Sequence, residues 1–454
     1  MSLNLNAELN KKSIYGTANI AKFIIYSLLG IFLFFVPVKI GNSSSIMVDH
    51  IIAFINRTVP FFGPIFTVCI AIVGGLYPWY KGTYKKDVTT FILSVFGLIG
   101  IPMAFLGALS FMKIATIGPQ WLMRPDMLPF VFEKVVMAVT MIVPIGSLFL
   151  TFIISYGLLE FAGVLMRPIM RPVFRTPGRS AIDAVASFVG SFSVAIYLTN
   201  RLYLEGKYTR REAITIMSGF STVSATFMII IARTLKIMDL WNVYFWSAFA
   251  ITFIVTALTV RLWPLSKIED TYIDGKGKPE AVKEGSLFSQ ALEEGLTAVA
   301  MAKPLFANLY DSFKSGIKMV LILTPCMASV ATLAFVLIKL TSFFDIFGYL
   351  FLPFTYALSL IGLPEPTILA KACATSLADV FAPPLYLASL KDVPLIVKFV
   401  TSVVTVSGII FFGGSIPCLL STDVDFKLWQ MIVIWFERAV LALILTGILA
   451  VILF

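Results

Sequence analysis

The chain has 454 residues, of which 59% are hydrophobic and 13% charged, and its mean hydropathy is +0.93. A soluble domain carries about 25% charged residues to cover its surface. These values therefore exclude a soluble enzyme, a DNA-binding protein and a secreted disulfide scaffold, and they define a polytopic integral membrane protein. The net charge of +10 is read as basic loops that orient the chain by the positive-inside rule, with no nucleic-acid partner.

A spanning helix needs about 20 apolar residues, and about nine segments come close to that length. In chain order they are Phe23–Val38, Thr58–Leu76, Val88–Leu109, Val135–Ile154, Ala213–Ile231, Val243–Val260, Met319–Ile338, Leu395–Phe412 and Leu428–Phe454. The first follows Lys11, Lys12 and Lys22. It is read as a retained helix rather than a signal peptide, because no A-x-A-like site follows it. Pro144 and Pro325 fall inside two spans, where neighbouring helices can satisfy the freed backbone groups.

Two apolar stretches have a different composition. Arg179–Leu204 and Thr367–Leu390 are rich in Ser, Thr, Gly, Pro and Asp, with breakers at Gly190-Ser191 and at Pro383-Pro384. A straight span would press these polar groups against lipid, so each is read as a re-entrant hairpin of two half-helices. Pro264 to about Ser315 is polar, a solvated loop with a surface helix. Its Asp274-Gly275-Lys276-Gly277-Lys278-Pro279 is a turn that lacks the phosphate-loop spacing.

With the N-terminus in the cytoplasm and both hairpins non-crossing, most Lys and Arg fall inside. The expected localisation is the inner (plasma) membrane, multi-pass. The two halves also match: Pro144 with Pro325, Glu160–Gly163 with Asp345–Gly348, Pro177 with Pro364, Tyr197-Leu198 with Tyr386-Leu387, and Thr222-Val223-Ser224 with Thr405-Val406-Ser407. Each unit reads as span, amphipathic connector, hairpin, span, span. The first unit crosses three times, so the second is inverted. The fold class is thus an all-α integral membrane protein with about nine transmembrane helices and two re-entrant hairpins in inverted repeats. Residues 1–134 are N-terminal helices for scaffold or homo-oligomer contacts, 135–263 the first repeat, 264–316 a cytoplasmic linker and 317–454 the second repeat.

No hydrolytic constellation is present, since His50 is the single histidine and no base accompanies the intramembrane hydroxyls. The protein reads as a non-enzyme without a cofactor or metal site. The candidate residues are polar groups at membrane depth, because charges there are costly and face protein or water. At the first hairpin and the following span they include Ser187, Ser191, Ser193, Asn200, Ser221, Thr222 and Ser224. At the second they include Thr375, Ser376, Asp379, Thr405 and Ser407. Asp379 stands out as the acid near a hairpin tip. Asp183 is read as an equal candidate for an ion pair with Arg179, and Glu437-Arg438 as an ion pair or helix anchor. Half-helix N-termini attract polar solute groups, and unwound carbonyls can hold Na⁺.

Three motifs carry a family resemblance: Leu158–Pro168, Thr176–Ser191 and Gly219–Phe227. Together they resemble the YjiH-like membrane proteins of the nucleoside-recognition, or Gate, domain group, which also holds concentrative nucleoside transporters, ferrous iron transporter membrane parts and spore maturation proteins. The resemblance implies paired hairpins, with substrate and Na⁺ held at positions matching Ser187–Ser193, Ser218–Thr226, Thr375–Asp379 and Thr401–Ser407. The expected function is secondary active transport of a small polar solute, nucleoside-like or amino-acid- or dipeptide-like, with Na⁺ or H⁺ as candidate coupling ion. The alternative is a non-transporting membrane assembly protein similar to the spore maturation proteins.

Overall fold

The computed structural model describes residues 14–454 apart from 37, 41–42, 46, 86–87, 126, 190–191, 276, 278, 281–285 and 341–342. Lys11, Lys12, Gly190 and Ser191 therefore lie outside the described residues. Helix α1 (Thr17–Phe35) leads into a short antiparallel ribbon of β1 (Val38–Ile40) and β2 (Ser43–Ser45), with Val38 opposite Ser45. The amphipathic α2 (Met47–Thr58) follows, and His50 Nε2 lies 2.7 Å from the Val38 carbonyl oxygen, which ties that helix to the ribbon. Next come α3 (Phe62–Lys81) and α4 (Val88–Phe111), both apolar on every face, as helices between lipid and protein are.

The first repeat opens with α5 (Leu128–Ile154). Its residues Phe132–Met137 form a π turn that carries Glu133 and Lys134, a distortion that often marks functional positions. After Gly157, at φ +86°, comes the amphipathic α6 (Leu158–Ile169). The hairpin of α7 (Ser180–Val189) and α8 (Phe192–Leu204) follows, then α9 (Arg210–Gly219), α10 (Ala225–Leu235) and α11 (Trp241–Thr259). Thr209 and Glu212 form a reciprocal capping box at the start of α9, which satisfies two otherwise orphaned N–H groups.

Within the linker, Ser286 caps α12 (Leu287–Ala300), which packs on α6. The second repeat repeats the first in order. It runs from α13 (Leu305–Leu340) through α14 (Phe343–Ser359), a hairpin of α15 (Pro366–Thr375) and α16 (Ala382–Ala388), then α17 (Leu395–Gly408), α18 (Ser415–Leu420) and α19 (Leu428–Leu453).

Among the described residues, 6 helices are long and apolar enough to cross a membrane: α3, α4, α5, the segment Met238–Thr259 with α11, α13 and α19. Three shorter apolar helices lie at Thr17–Leu33, Ile346–Ser359 and Leu395–Gly408. The chain is a multi-pass helical membrane protein. The expected continuous spans at Ala213–Ile231 and Leu395–Phe412 need correction. The first is two helices separated by Phe220–Ser224, and the second ends at Gly408. Both segments are apolar enough to be read as uniform helices, yet each is interrupted where polar groups and another chain segment satisfy its free backbone. The connector after α13 is likewise a 17-residue apolar helix, α14, rather than a merely amphipathic link.

The two opening helices of the repeats pair at the centre of the molecule. Thr140 and Thr324 hydroxyls meet across them at 2.8 Å. Helices α3 and α4 lean on α13 through glycines. A Cβ at Gly74 would fall 1.7 Å from the Leu321 carbonyl oxygen, and one at Gly100 would fall 1.8 Å from that of Pro325. This is the close, small-residue approach that membrane helices use where hydrophobic burial alone gives little drive. The N-terminal helices are thereby fixed to the second repeat.

Candidate functional site

Each repeat brings its hairpin and a helix break to the same region. In the first, Ser187 on α7 donates to the Thr222 carbonyl at 2.6 Å, fastening the hairpin to the break between α9 and α10. In the second, the link is backbone to backbone. Phe412 and Gly413 N–H groups donate to the Leu377 and Ala378 carbonyls at 2.8 and 2.7 Å, and Thr405 donates to the Val380 carbonyl at 2.7 Å. These bonds answer the polar groups that unwinding releases, which a lipid environment would otherwise leave unpaired. Ile409, the first residue after α17, is β-branched yet sits at φ +62°. Such a conformation persists only where the surroundings impose it, commonly at functional sites.

The first break also bonds to the last turn of α17. Thr222 Oγ1 donates to the Val406 carbonyl at 2.8 Å. These residues belong to the tripeptides Thr222-Val223-Ser224 and Thr405-Val406-Ser407, which match between the halves. The repeat seen in the sequence thus meets itself at a contact.

A cavity of about 210 Å³ opens where the breaks and hairpins converge. It is walled by Lys134 and Val135 of the π turn, Phe192 at the start of α8, Ser224 and Phe227 at the start of α10, Asp379 of the second hairpin turn and Phe411 of the second break. Aliphatic side chains and four phenylalanines, Phe130, Phe192, Phe227 and Phe411, make up most of the wall, and Phe381 links two of these rings from behind. Phe130 stacks on Phe381 at 5.6 Å between centroids, Phe227 meets Phe381 edge-on at 5.9 Å, and Phe192 meets Phe411 at 5.5 Å. Apolar walls with a few placed polar groups are the usual composition of small-molecule sites.

Two polar groups are aimed into that apolar space. Ser224 caps α10, accepting from the Phe227 N–H at 3.3 Å, so it stands at a helix N-terminus where partial positive charge collects. Asp379 is 3% exposed and accepts from the Phe381 N–H at 2.7 Å through Oδ1. Gly413 makes room for it, since a Cβ there would lie 2.1 Å from Asp379 Oδ2. Lys134, at the rim, is paired with its neighbour Glu133.

Behind the cavity lies a fully buried guanidinium. Arg438 donates to the Ser407 carbonyl through Nε at 3.1 Å and Nη2 at 2.9 Å, and to Thr256 Oγ1 through Nη1 at 3.0 Å. The Thr256 hydroxyl lies 2.7 Å from the Gly219 carbonyl. Gly219 ends α9 and Gly408 ends α17. The arginine and threonine together therefore meet the carbonyl ends of both interrupted helices, where the macrodipoles concentrate negative charge. This corrects the ion-pair reading of Glu437-Arg438. Adjacent helical residues point about 100° apart, and Glu437 Oε2 finds no hydrogen-bond partner while Arg438 turns inward. Asp183 is corrected too. It accepts from Tyr208 Oη and Thr199 Oγ1, both at 2.7 Å, and Arg179 pairs elsewhere.

The remaining expected site residues divide by what they touch. Ser407 Oγ meets Thr252 Oγ1 at 3.1 Å, so Ser187, Thr222, Thr405 and Ser407 all hold hairpins and breaks in place. Thr375 and Ser376 donate to carbonyls of their own helix at 2.8 and 2.6 Å, and Ser376 also accepts from Trp435 at 3.1 Å. Ser193 and Ser221 are buried outside the cavity wall. Asn200 bonds Asp423 on both sides, at 3.0 and 2.9 Å, two turns along α8 from the cavity. Ser191 lies outside the described residues. Of the expected residues, Ser224 and Asp379 line the cavity. Sequence reasoning missed Lys134 and the ring of phenylalanines, because Phe is so frequent in this chain (41 residues) that no single one stands out.

Known proteins share parts of this outline. Residues 135–238 match the family model described as Gate, nucleoside recognition, and the three motifs read from the sequence fall within that stretch. The first interrupted helix and first hairpin lie within the matched residues. Over 448 residues the chain is 28% identical to an uncharacterized protein of Alkalihalophilus pseudofirmus, spanning 97% of this chain and 96% of that one. A stretch of 61 residues is 36% identical to the sporulation integral membrane protein YlbJ of Bacillus subtilis, covering 13% of this chain and 15% of that protein. Two structures of CNTnw variants in an outward-facing state align over 95% and 97% of this chain and 100% and 91% of theirs. Their identities are 10% and 14%, and their TM-scores 0.49 and 0.36.

Proposed function

We propose that the protein is a secondary transporter of a small polar solute and works by alternating access. The observation that carries this reading is the apolar cavity walled by both repeats, with the Asp379 carboxylate and the capped N-terminus of α10 in its lining. A solute with a flat apolar face and a hydrogen-bond donor matches that lining, which suits nucleoside-like and amino-acid- or dipeptide-like molecules. The Gate match over residues 135–238 supports the same class. In this reading the hairpin-bearing units rock against the scaffold of α3, α4 and α13, in an inner (plasma) membrane with the N-terminus cytoplasmic. Arg438 and Thr256 already answer the carbonyl ends of both breaks. With those carbonyls taken, the breaks are poorly suited to caging Na⁺, which favours H⁺, carried by Asp379, as the coupling ion.

Proteoliposomes holding the full chain test this. Uptake of a solute found by thermal-shift screening should follow an imposed pH gradient more than a Na⁺ gradient. The Asp379→Asn variant should insert and fold but lose uptake. Wild-type flux in that variant removes Asp379 from the site. A ligand binding only the folded state at 100 times its Kd adds about 2.7 kcal/mol of stability, which makes the screen sensitive. The second reading, a membrane assembly protein, is favoured by the stretch similar to the sporulation protein. It expects no saturable uptake, and loss of a partner complex when the hairpins are altered.

A further inference from the structure

The linker between the repeats sends one side chain into the first hairpin. Glu280 has a side chain only 3% exposed, although it comes from the most polar segment of the chain. Its carboxylate accepts from the Gly178 and Arg179 backbone N–H groups at 3.0 and 2.9 Å and from Arg179 Nε at 3.3 Å. Arg167 Nε and Arg171 Nη2 stand 3.6 and 3.5 Å from its Oε2. The two backbone donors lie just ahead of α7, a 10-residue helix, so its positive dipole end points at the same spot. Gly178 has to be glycine at this position, because a Cβ would fall 1.8 Å from the Gly163 carbonyl oxygen.

This cup holds more donors than a carboxylate can use. Three guanidiniums face one negative charge. Arg167 is 8% exposed, yet its Nε and Nη2 have no hydrogen-bond partner, and a buried donor left unsatisfied is destabilising. Among the described residues, the other acids nearby make their hydrogen bonds to groups outside the cup. Asp270 lies 3.6 Å from Arg211 and accepts from Thr209, and Glu212 caps α9. The surplus matches a group with more oxygens and more charge than Glu280 brings. Backbone N–H groups at a helix start, combined with arginine forks, are the donor set that recognises phosphate.

We propose that this cup is a phosphate-monoester site, held in the present state by the chain's own Glu280, which a phosphate group displaces. The phosphate comes either from solution or from a lipid headgroup. The site is separate from the cavity at Asp379 and does not depend on the transport reading. Displacement unfastens the linker from the hairpin that bears Asp183 and Ser187, so the same site couples anion level to hairpin mobility.

The full-length protein in nanodiscs would be titrated with inorganic phosphate. Separately, phosphatidic acid would be added to the disc lipid, with phosphatidylglycerol, a diester, as control. Glu280→Gln removes the competing charge and should raise phosphate affinity at least tenfold over wild type. Adding Arg167→Gln to it should abolish that gain. Saturable binding of inorganic phosphate identifies a soluble source. A response to phosphatidic acid but not to inorganic phosphate or phosphatidylglycerol identifies a lipid source. No gain with either probe, in a Glu280→Gln protein with a wild-type unfolding temperature, overturns the proposal and leaves the cup as an anchor for the linker. If that variant fails to fold, the wild type decides. Phosphate or phosphatidic acid should speed protease cleavage within 264–300 several-fold, and an unchanged rate at the highest loading of both overturns it equally.

Discussion

Arg438 gives the sharpest test of how the interrupted helices are held. The side chain is fully buried and commits its fork to the Ser407 carbonyl and Thr256 hydroxyl. Replacing it with Met leaves the Ser407 carbonyl short of a donor, which costs about 1–3 kcal/mol. The same change removes a buried charge whose desolvation costs several kcal/mol, so the two terms largely offset. Arg438→Lys keeps the charge and its desolvation cost. A single ammonium on a shorter reach replaces the planar fork, however, and loses at least one charge-assisted bond, about 1.5–3 kcal/mol. The expected order of stability is therefore wild type, then Met, then Lys, with Met within about 3 kcal/mol of wild type. Reversible unfolding in mixed micelles, followed by Trp fluorescence and titrated with denaturing detergent, measures it. If Lys restores wild-type stability while Met loses more than about 3 kcal/mol, positive charge is what the breaks require, and carbonyl capping by the arginine fork is refuted.

Three further outcomes follow from the geometry. Gly413→Ala places a methyl group 2.1 Å from Asp379 Oδ2, so it should lower ligand affinity more than tenfold while leaving detergent stability within about 1–3 kcal/mol of wild type; unchanged affinity would mean the carboxylate is not part of the binding surface. Gly100→Leu drives a side chain into the Pro325 carbonyl and should part α4 from α13, seen as loss of a disulfide between cysteines engineered into the two helices. Glu212, at the polar entrance of α9, has its carboxyl pushed up to about 7 by burial. Its folded state thus binds a proton more tightly than its unfolded state, so its contribution is fully present below the ordinary carboxylate value and fades as pH rises towards 7. Wild type should therefore gain stability relative to Glu212→Gln as pH falls from about 7 to about 4.5, and a pH-independent difference between the two refutes that assignment.

Much of the fold is legible because the bilayer imposes length and apolarity on every helix that crosses it. α3, α4, α5, α11, α13 and α19 all fall where long apolar runs stand, and both hairpins fall where Ser, Gly and Pro interrupt shorter ones. The helix breaks are not legible in the same way. Phe220–Ser224 carries three hydroxyl residues and Ile409–Gly414 ends in two glycines, but neither contains a proline and both sit inside long apolar runs. What stops those helices is distant in the chain: the Leu377 and Ala378 carbonyls, the Val406 carbonyl and the Arg438 guanidinium. A propensity argument sees only residues within a turn or two, so a break stabilised by tertiary bonds leaves local marks, Ser224 and Gly413-Gly414 here, too weak to outweigh the apolar run around them.

The same distinction governs the candidate site. Polar residues at membrane depth announce that something must satisfy them, but not whether the partner is a solute or another part of the chain. In this protein most are satisfied internally. Ser187 meets Thr222, Thr222 meets Val406, and Thr405 meets Val380. Those bonds fix both breaks and the hairpin helices beside them around a space whose wall is mainly aliphatic and phenylalanine side chains. The hydroxyls expected to form a binding surface therefore build its frame. The carboxylate of Asp379 differs because its Oδ1 is engaged by one backbone N–H while the side chain as a whole stands in the cavity wall. A charge can be kept at that depth only where protein or water answers it, and with most of the surrounding hydroxyls turned to carbonyls of the frame, Asp379, Ser224 and Lys134 are the polar residues left in the cavity wall.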